Sequence, residues 1–425
     1  MSFDNTPPLR EYQKTAIFEI AKYSRRYAFY FDTGTGKTRT ACGIVRNYPG
    51  MWAIVTPRSV FPAWIEELSL WGEQCWTPVS YFHKKRWSSK ISSTLNGRVV
   101  LLTPQTLVRS PEVLRGIDCL VVDESSLLCN PKAKITKIVT RQKWDRVYLL
   151  SGNPSPQGQF WLWGQAFLLG ATNQTWWQWA NNYGIQIQIP GKHGGPWRLR
   201  PGAGEQILEQ MQPFSWYIDK KTVLNLEDPT IIDRFFEPES SSPKWDALLD
   251  WVREHGDLMR IREIASGFLY TDKDGAVFRG DDSRIDALME LLEELRGRRV
   301  VVWCQFRAFR VEVIAKIKES GRVVYEKPED FCLDATGEGI FVSHPRSAGY
   351  GTDGMQKICS EMVFAEASFS YDEFFQSLSR LHRSGQESPV VVYRLRANGS
   401  EIEDRMWAAV EKKSSLLEEL KEALS

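Results

Sequence analysis

Two arginines three residues apart are the feature of this sequence that most needs a chemical explanation. They lie in the stretch Gln376-Ser-Leu-Ser-Arg380-Leu-His-Arg383-Ser-Gly-Gln386. On a helix, residues three or four apart share a face, so Gln376, Arg380 and Arg383 are predicted to lie together. Two guanidinium groups on one face repel each other unless an anion lies between or opposite them. The pattern therefore predicts an anionic partner supplied by another part of the chain.

A glycine-rich turn about 340 residues upstream can supply that anion. A short apolar run, Tyr27–Phe31, leads into a loop that a helix-compatible stretch follows. The loop comprises Thr33, Gly34, Thr35, Gly36, Lys37 and Thr38. Glycines let the backbone approach phosphates, and the amides at the start of a helix attract anions. Lys37 can reach the β- and γ-phosphates of a nucleotide, and the Thr38 hydroxyl can hold Mg²⁺. The strict phosphate-loop pattern has glycine where this chain has Phe31, so this motif alone leaves a simple glycine turn open.

A pair of acidic residues helps to decide between a phosphate loop and a simple glycine turn. The run Cys119-Leu-Val-Val ends in Asp123 and Glu124, about 85 residues after Thr38. A buried strand that stops at two carboxylates presents them at its carboxyl end, where open α/β sheets bind ligands. Asp123 suits a Mg²⁺ shell, and Glu124 suits the activation of an attacking water. An ordinary acidic turn is the alternative, and the upstream Gly-Lys-Thr loop makes nucleotide chemistry the better interpretation.

Apolar runs that alternate with helix-compatible stretches predict the elements that position these residues. The predicted strands of the first half are Trp52–Thr56, Val99–Leu102, Leu120–Asp123 and Arg146–Leu150. This alternation favours an α/β fold with parallel sheets covered by helices. In the second half, helical periodicity over Arg284–Leu295 precedes a predicted strand, Val300–Trp303. Residues 401–420 form an amphipathic pattern that predicts a packed terminal helix.

Composition fits a globular protein with more than one domain. The chain has 425 residues, of which 42% are hydrophobic and 25% charged, and its formal net charge is +1. A net charge this small does not indicate a broad basic surface, although it does not exclude binding to nucleic acid. Seven cysteines without a Cys-x-x-Cys pair and five scattered histidines argue against a disulfide framework or a zinc site. With no signal peptide or membrane-spanning run, we expect a cytoplasmic protein, in a bacterial cell or a phage-infected host.

Taken in order, the motifs resemble those of superfamily 2 helicases, and within them the Swi/Snf-type double-stranded DNA translocases. The matching segments are Leu9–Gln13, Gly34–Thr38, Val55–Pro57 with Trp64 and Glu67, Leu102–Leu107, Asp123–Ser126, Leu150–Pro154, Val300–Phe306, Ser347–Asp353 and Gln376–Gln386. Three residues depart from the family's usual pattern. Asn153 replaces a usual threonine, Ser126 a frequent histidine and Asp353 a usual asparagine. The first two fall in motifs that couple hydrolysis to movement, so the departures put coupling efficiency in doubt.

The resemblance implies two RecA-like domains in tandem, with a small and mostly helical Trp-rich insertion between them. It implies a first domain over residues 1–215, of which 155–215 is the Trp-rich extension. A linker or helical protrusion would span 216–282, including a helix over Leu258–Tyr270, and the second domain would span 283–425. The tryptophans of the extension are either a platform for bases or anchors of a subdomain on the motor core. We favour anchors, because base stacking suits single strands and this family tracks duplexes.

The resemblance also assigns roles to residues. The ATP-binding set would be Arg10, Gln13, Thr33, Gly34, Thr35, Gly36, Lys37, Thr38 and Gln376. Thr38 and Asp123 would hold Mg²⁺, Glu124 would orient the water, and Arg380 and Arg383 would act as arginine fingers when the two domains close. Nucleic acid would contact Thr56, Pro57, Thr103, Gln105 and Gly349. The implied activity is ATP-driven movement along DNA, duplex or branched, with replication, recombination or repair proteins as partners. An RNA helicase of the same superfamily, or a nucleotide-gated clamp with little turnover, stays open.

Overall fold

The computed structural model describes residues 8–76, 97–188, 195–224, 226–239, 247, 250, 254, 258–270, 277–334, 337–348, 354–368 and 370–424. The chain divides into two compact units, Met1–Val223 together with Ser415–Ser425, and Leu224–Ser414. Both contain a parallel β-sheet with helices, which confirms the predicted α/β fold class. No helix within the described ranges combines the length and the apolar character needed to cross a membrane.

A parallel sheet forms the centre of the first unit. Within the described residues it has seven strands in the order β3-β4-β2-β5-β6-β1-β9. The strands are β1 (Arg26–Phe31), β2 (Trp52–Val55), β3 (Cys75–Trp76), β4 (Val99–Leu102), β5 (Cys119–Asp123), β6 (Arg146–Leu150) and β9 (Ser215–Ile218). Apolar side chains of β2, β4 and β6 are buried throughout, because helices cover both faces of the sheet. The four strands predicted in this half are confirmed, with ends that differ by one residue at most.

Helices of the first unit connect these strands. They are α1 (Glu11–Lys14), a π-helical turn (Thr15–Ile20), α2 (Ala21–Tyr23), α3 (Lys37–Asn47), α4 (Phe61–Leu70), α5 (Pro104–Arg109), α6 (Lys134–Arg141), α7 (Trp163–Leu169), α8 (Trp176–Tyr183), α9 (Ala203–Met211) and α10 (Lys220–Leu224). Because all the strands are parallel, the loops after β1, β2, β4, β5 and β6 open on one edge of the sheet. The candidate site residues of this unit, apart from Arg10 and Gln13, belong to those loops and the helix starts that follow them.

The Trp-rich stretch packs onto the first unit. It contributes α7, α8, α9 and an antiparallel hairpin of β7 (Gly184–Gln186) and β8 (Trp197–Leu199). Trp179 is fully buried and donates its indole N–H to the Phe160 carbonyl at 3.0 Å. The rings of Trp161 and Trp176 stack at 5.9 Å. These contacts support the interpretation that the tryptophans anchor a subdomain on the core.

The second unit contains a parallel sheet of six strands among the residues described, in the order β10-β17-β16-β13-β15-β14. The strands are β10 (Thr230–Phe236), β13 (Arg299–Trp303), β14 (Val324–Tyr325), β15 (Gly339–Ser343), β16 (Glu361–Phe364) and β17 (Val391–Ala397), and a separate hairpin joins β11 (Phe268–Tyr270) to β12 (Val277–Arg279). The helices are α11 (Leu258–Ala265), α12 (Ser283–Glu294), α13 (Arg307–Glu319), α14 (Pro328–Leu333), α15 (Pro345–Ala348), α16 (Tyr371–Leu378) and α17 (Glu401–Leu424). The predicted strand at Val300 and the terminal helix are confirmed.

The segment predicted as a linker and protrusion, 216–282, needs correction. Most of β9 falls within it and pairs with β1, and β10 falls wholly within it and pairs with β17 along seven residues. The predicted helix over Leu258–Tyr270 ends at Ala265, and β11 begins at Phe268. Gly267 separates the two because its φ of +87° is left-handed, and a Cβ there would lie 2.1 Å from the Asp281 carbonyl oxygen.

Candidate active site

The phosphate loop joins β1 to α3 at the carboxyl edge of the first sheet. Gly34 and Gly36 have φ of 82° and 88°, a backbone conformation that favours glycine. Gly36 is the residue before α3, and no side chain in the described part of the chain caps that helix terminus, so the first amides of the helix face the loop. The Lys37 ammonium donates to the carbonyl oxygens of Phe31 and Asp32 at 2.9 and 3.2 Å. Thr33 and Thr38 are half-buried on either side of the glycines, whereas Thr35 is buried and donates to the Asp32 carbonyl.

The helix that starts after Arg10 is held against this loop. Gln13 is 3% exposed; its side-chain oxygen accepts from the Arg10 amide at 2.9 Å, and its nitrogen donates to the Gly36 carbonyl at 3.3 Å. Tyr12 donates its hydroxyl to the Thr35 carbonyl. Burial raises the pKa of Tyr12, and the nearby Arg10 guanidinium partly opposes that rise. A Cβ on Gly36 would lie 2.5 Å from the Gln13 amide nitrogen, so glycine is required here for the close approach. The predicted glutamine motif therefore contacts the phosphate loop, and its role toward adenine stays a prediction.

Asp123 is oriented by two donors from the neighbouring segments. Its Oδ2 accepts from the Thr56 hydroxyl at 2.9 Å and from the Trp64 indole N–H at 3.0 Å. Thr56 is fully buried after β2, and Trp64 is 1% exposed in α4. Two donors on one oxygen fix the rotamer of the carboxylate and leave Oδ1 outside this pair of bonds. The arrangement suits a carboxylate that must hold a cation in one direction.

Glu124 has the one left-handed backbone found at a residue other than glycine within the described part of the chain, with φ of 61°. A left-handed conformation costs such a residue about 1–2 kcal/mol, and strain of this kind clusters at functional sites. The carboxylate accepts a long hydrogen bond of 3.4 Å from the Ser151 hydroxyl, which in turn accepts from the Asn153 amide at 3.1 Å. The acid pair after β5 is therefore connected to the turn after β6.

The predicted nucleic-acid contacts fare differently from one another. The structure does not support the prediction that Thr56 contacts nucleic acid at the surface, because Thr56 has no exposed area and its hydroxyl donates a hydrogen bond to Asp123. Thr103 is 8% exposed, and its hydroxyl accepts from the Thr106 amide to cap α5. Pro57 is half-buried, and Gln105 is exposed on the first turn of α5. These two stay predictions, and Gly349 lies outside the described residues.

The arginine segment belongs to the second unit. The prediction that Gln376, Arg380 and Arg383 share one helix face is wrong, because α16 ends at Leu378 and the arginines follow in a turn. The turn is held by long-range bonds: the His382 imidazole contacts the Glu227 carbonyl at 2.8 Å, and the Gln386 amide donates to the Cys359 carbonyl at 2.9 Å. Arg380 is 9% exposed, while Gln376 and Arg383 are half-buried.

Sequence reasoning missed one buried side chain that contacts three of these segments. Gln165 in α7 has no exposed area and accepts from the hydroxyls of Tyr30 at 2.9 Å and Ser125 at 2.8 Å. Its amide nitrogen donates to the Pro154 carbonyl at 2.6 Å. Burial raises the pKa of Tyr30 well above its ordinary value, so this hydroxyl stays protonated and able to donate. A glutamine among tryptophans carries no local signal of such a role.

Comparison with known proteins adds independent observations. The model of the family described as "Type III restriction enzyme, res subunit" matches residues 6–138. SWI/SNF-related matrix-associated actin-dependent regulator of chromatin subfamily A member 1 of Mus musculus is 22% identical, over 94% of this chain and 42% of that protein. DNA annealing helicase and endonuclease ZRANB3 of Bos taurus is 24% identical, over 96% of this chain and 40% of that protein. The chain thus spans less than half the length of either relative.

A solved structure is also similar. The chain titled "Sulfolobus solfataricus SWI2/SNF2 ATPase core in complex with dsDNA" aligns with a TM-score of 0.44 and 18% identity, covering 97% of this chain and 93% of that one. Protein p41 of Acyrthosiphon pisum secondary endosymbiont phage 1 is a shorter relative, 23% identical over 58% of each chain.

Proposed function

We propose that this chain, a Swi/Snf-type member of the superfamily 2 helicases and ATPases, hydrolyses ATP to move along DNA. The observation that carries the proposal is the joint placement of two motifs in the first unit. The phosphate loop after β1 and the acid pair at the carboxyl end of β5 lie at the same edge of one sheet, with β6 between their strands. Phosphoryl transfer needs a phosphate cradle and an oriented carboxylate pair together.

The residues present suit ATP and Mg²⁺. Glycines with left-handed backbones form the loop, and the uncapped start of α3 offers amides to phosphate oxygens. Lys37 would pair with the terminal phosphates, while Thr38 and Asp123 would hold the metal. Mg²⁺, when bound, neutralises charge on the β- and γ-phosphates. Glu124 would orient the attacking water, and Arg380 and Arg383 would stabilise charge in the transition state.

DNA is the proposed track because two long relatives carry names that refer to chromatin regulation and DNA annealing. Among the first-unit residues predicted to touch nucleic acid, Gln105 and Pro57 retain exposed surface after β4 and β2. Contacts to phosphates carry no sequence information, so stepping should depend little on base sequence. Replication, recombination or repair proteins are the partner class that such a motor would serve.

The test is ATP turnover across four nucleic acids, namely duplex DNA, single-stranded DNA, forked DNA and RNA of equal length. The proposal predicts the largest stimulation by duplex or forked DNA. Stimulation by RNA alone would favour the RNA helicase, and binding of ATP and DNA with almost no phosphate release would favour the clamp. The Lys37→Ala variant, assayed in parallel, controls for contaminating ATPase.

A further inference from the structure

A single buried amide joins three segments of the proposed ATPase site. Gln165 lies in α7, outside the motifs, and its side chain bonds to Tyr30, Ser125 and Pro154 within 2.9 Å. Tyr30 is the penultimate residue of β1, just before the phosphate loop. Ser125 follows the strained Glu124, and Pro154 follows Asn153 in the turn after β6. Each of the three segments thus has a fixed point on the same side chain.

We propose that Gln165 is a positioning residue for catalysis, which sets the Glu124 turn relative to the phosphate loop. The proposal rests on the ATPase function proposed above. The left-handed backbone at Glu124 persists only if its surroundings hold it, and the bond from the Ser125 hydroxyl to Gln165 holds the next residue in place. The same amide ties that residue to β1, so the water-orienting carboxylate and the phosphate loop keep one relative placement.

The Gln165 amide serves all three neighbours at once. Its oxygen accepts two hydroxyl protons, and its nitrogen donates to a carbonyl. Glutamate at this position would lose the donor and set a carboxylate against the Pro154 carbonyl. Methionine would keep the length but leave two hydroxyls and one carbonyl without this partner in a buried site, and each such loss is costly.

The experiment compares full-length Gln165→Met and Ser125→Ala with a matched control, Gln159→Met. Gln159 is 7% exposed, lies six residues before Gln165, and forms no hydrogen bond with the three described segments. Ser125→Ala removes one hydroxyl from the Gln165 oxygen without changing the packing of α7. We expect kcat for ATP to fall about 10- to 100-fold in Gln165→Met while KM changes less than about threefold. Ser125→Ala and Gln165→Met should combine less than additively, because they remove a shared bond.

Amide hydrogen exchange over Glu124–Cys129 supplies a readout that needs no turnover. Gln165→Met should accelerate exchange in that turn, whereas Gln159→Met should not. Normal kcat and normal exchange in Gln165→Met, beside an active parent, would overturn the positioning role. A parent protein that binds but never hydrolyses ATP would instead overturn the proposed function, and the exchange result would still decide the role of Gln165.

A second observation concerns charge. Residues 146–204 contain no aspartate or glutamate, although the whole chain of 425 residues contains 53. The β7–β8 hairpin belongs to this stretch, and Ile185 lies directly opposite Arg198 on one face of it. Ile185 and Ile187 are 48% and 46% exposed. Arg198 is exposed and forms no hydrogen bond or ion pair with another described residue. Exposed amide side chains nearby include Asn181, Asn182 and Gln186.

We infer that this hairpin face binds the sugar-phosphate backbone of the DNA on which the motor acts. The inference depends on the DNA track proposed above. A segment without carboxylates of its own adds no repulsion toward phosphates, Arg198 can pair with one phosphate, and amides can donate to others. The isoleucine side chains would pack against sugars. A protein partner is the competing occupant, because exposed isoleucines suit it as well.

The test measures the affinity of the full chain for a fluorescein-labelled DNA duplex as a function of salt. Arg198→Glu should weaken DNA binding about tenfold. The slope of the logarithm of the binding constant against the logarithm of the salt concentration should fall in magnitude by about one or more, and ATP turnover in the absence of DNA should stay unchanged. Arg115→Glu is the control, since Arg115 is exposed before the amino end of β5 and undergoes the same charge change. Equal losses of DNA affinity in Arg198→Glu and Arg115→Glu would overturn the inference and favour a protein as the partner that binds this face. A parent that shows no DNA stimulation at all would count against the proposed function itself.

Discussion

Thr56 offers a sharp test, because sequence and structure give it different roles. Its motif predicts a contact to nucleic acid, whereas the structure buries it completely and directs its hydroxyl to Asp123 at 2.9 Å. Thr56→Val keeps the shape and removes that hydroxyl. A hydrogen bond to a charged group contributes about 1.5–3 kcal/mol. Since Asp123 is half-buried and keeps the Trp64 donor at 3.0 Å, the lower end applies.

At about 1.4 kcal/mol per factor of ten, this loss corresponds to roughly a tenfold effect. We expect the Mg²⁺ concentration for half-maximal ATP turnover to rise about tenfold in Thr56→Val, because the carboxylate loses one of its two orienting donors. Duplex affinity should stay within about twofold, because a residue without exposed area contributes no phosphate contact. The assay is phosphate release over a Mg²⁺ titration at saturating ATP, paired with DNA binding by anisotropy.

Thr136→Val is the matched control for this variant. Thr136 is also fully buried, and its hydroxyl has no hydrogen-bond partner among the residues that the structure describes, so the same substitution removes no bond. Thr56→Ser, which keeps the hydroxyl, should restore the parental Mg²⁺ dependence. Weakened DNA binding with an unchanged Mg²⁺ titration would refute the reasoning and return Thr56 to the nucleic-acid interface.

Three further predictions concern the two units. Lys37→Ala should abolish ATP turnover measured by phosphate release, because we propose its ammonium as the charge that pairs with the terminal phosphates; retained turnover would contradict the site assignment. Arg383→Ala should lower kcat by about 10³ or more while ATP affinity stays near parental, as for arginines that act in the transition state; equal losses in both would argue against that role. Burial tends to raise the pKa of Asp233, but hydrogen bonds from Arg394 and Arg396 outweigh it and leave this pKa below its ordinary value. The stabilisation is therefore present above about pH 4 and is lost as pH falls through the lower folded value. Asp233→Asn should lower the melting temperature of the second unit by about 2–4 °C at pH 7, corresponding to about 1 kcal/mol for a pair that solvent screens, and the difference should shrink in acid; a pH-independent difference would contradict the assignment.

Much of the fold was predictable because buried parallel strands are continuous apolar runs. The runs at Trp52, Val99 and Arg146 have this character on both faces and were found. Strand β10 is not a continuous buried apolar run, because Ile231 and Phe235 are exposed and Asp233 and Arg234 interrupt the apolar residues. Its place in the sheet depends on partners more than 150 residues away, such as the Arg394 guanidinium on Asp233. Local pattern does not carry such information.

The candidate site divides in the same way. The positions of Lys37, Asp123 and Glu124 at the carboxyl ends of strands were predictable, because a continuous apolar run comes before each of them in the sequence. Their chemical roles stay predictions. The end of α16 could not be predicted, because residues 379–384 contain no glycine or proline. The turn is held instead by contacts of His382 and Gln386 with the carbonyl groups of distant residues. The direction of the Thr56 side chain was equally hidden, because the residue after a strand can face either the core or the surface.

The most direct test of the proposed motor activity is displacement of a third strand from a DNA triplex. A translocase that moves along duplex DNA should strip the third strand with ATP and Mg²⁺, and Lys37→Ala should leave it bound. The rate should be similar on duplexes of different base sequence, because the proposed contacts are to phosphates. Vigorous DNA-stimulated hydrolysis by the parent protein without any displacement would contradict ATP-driven movement along DNA.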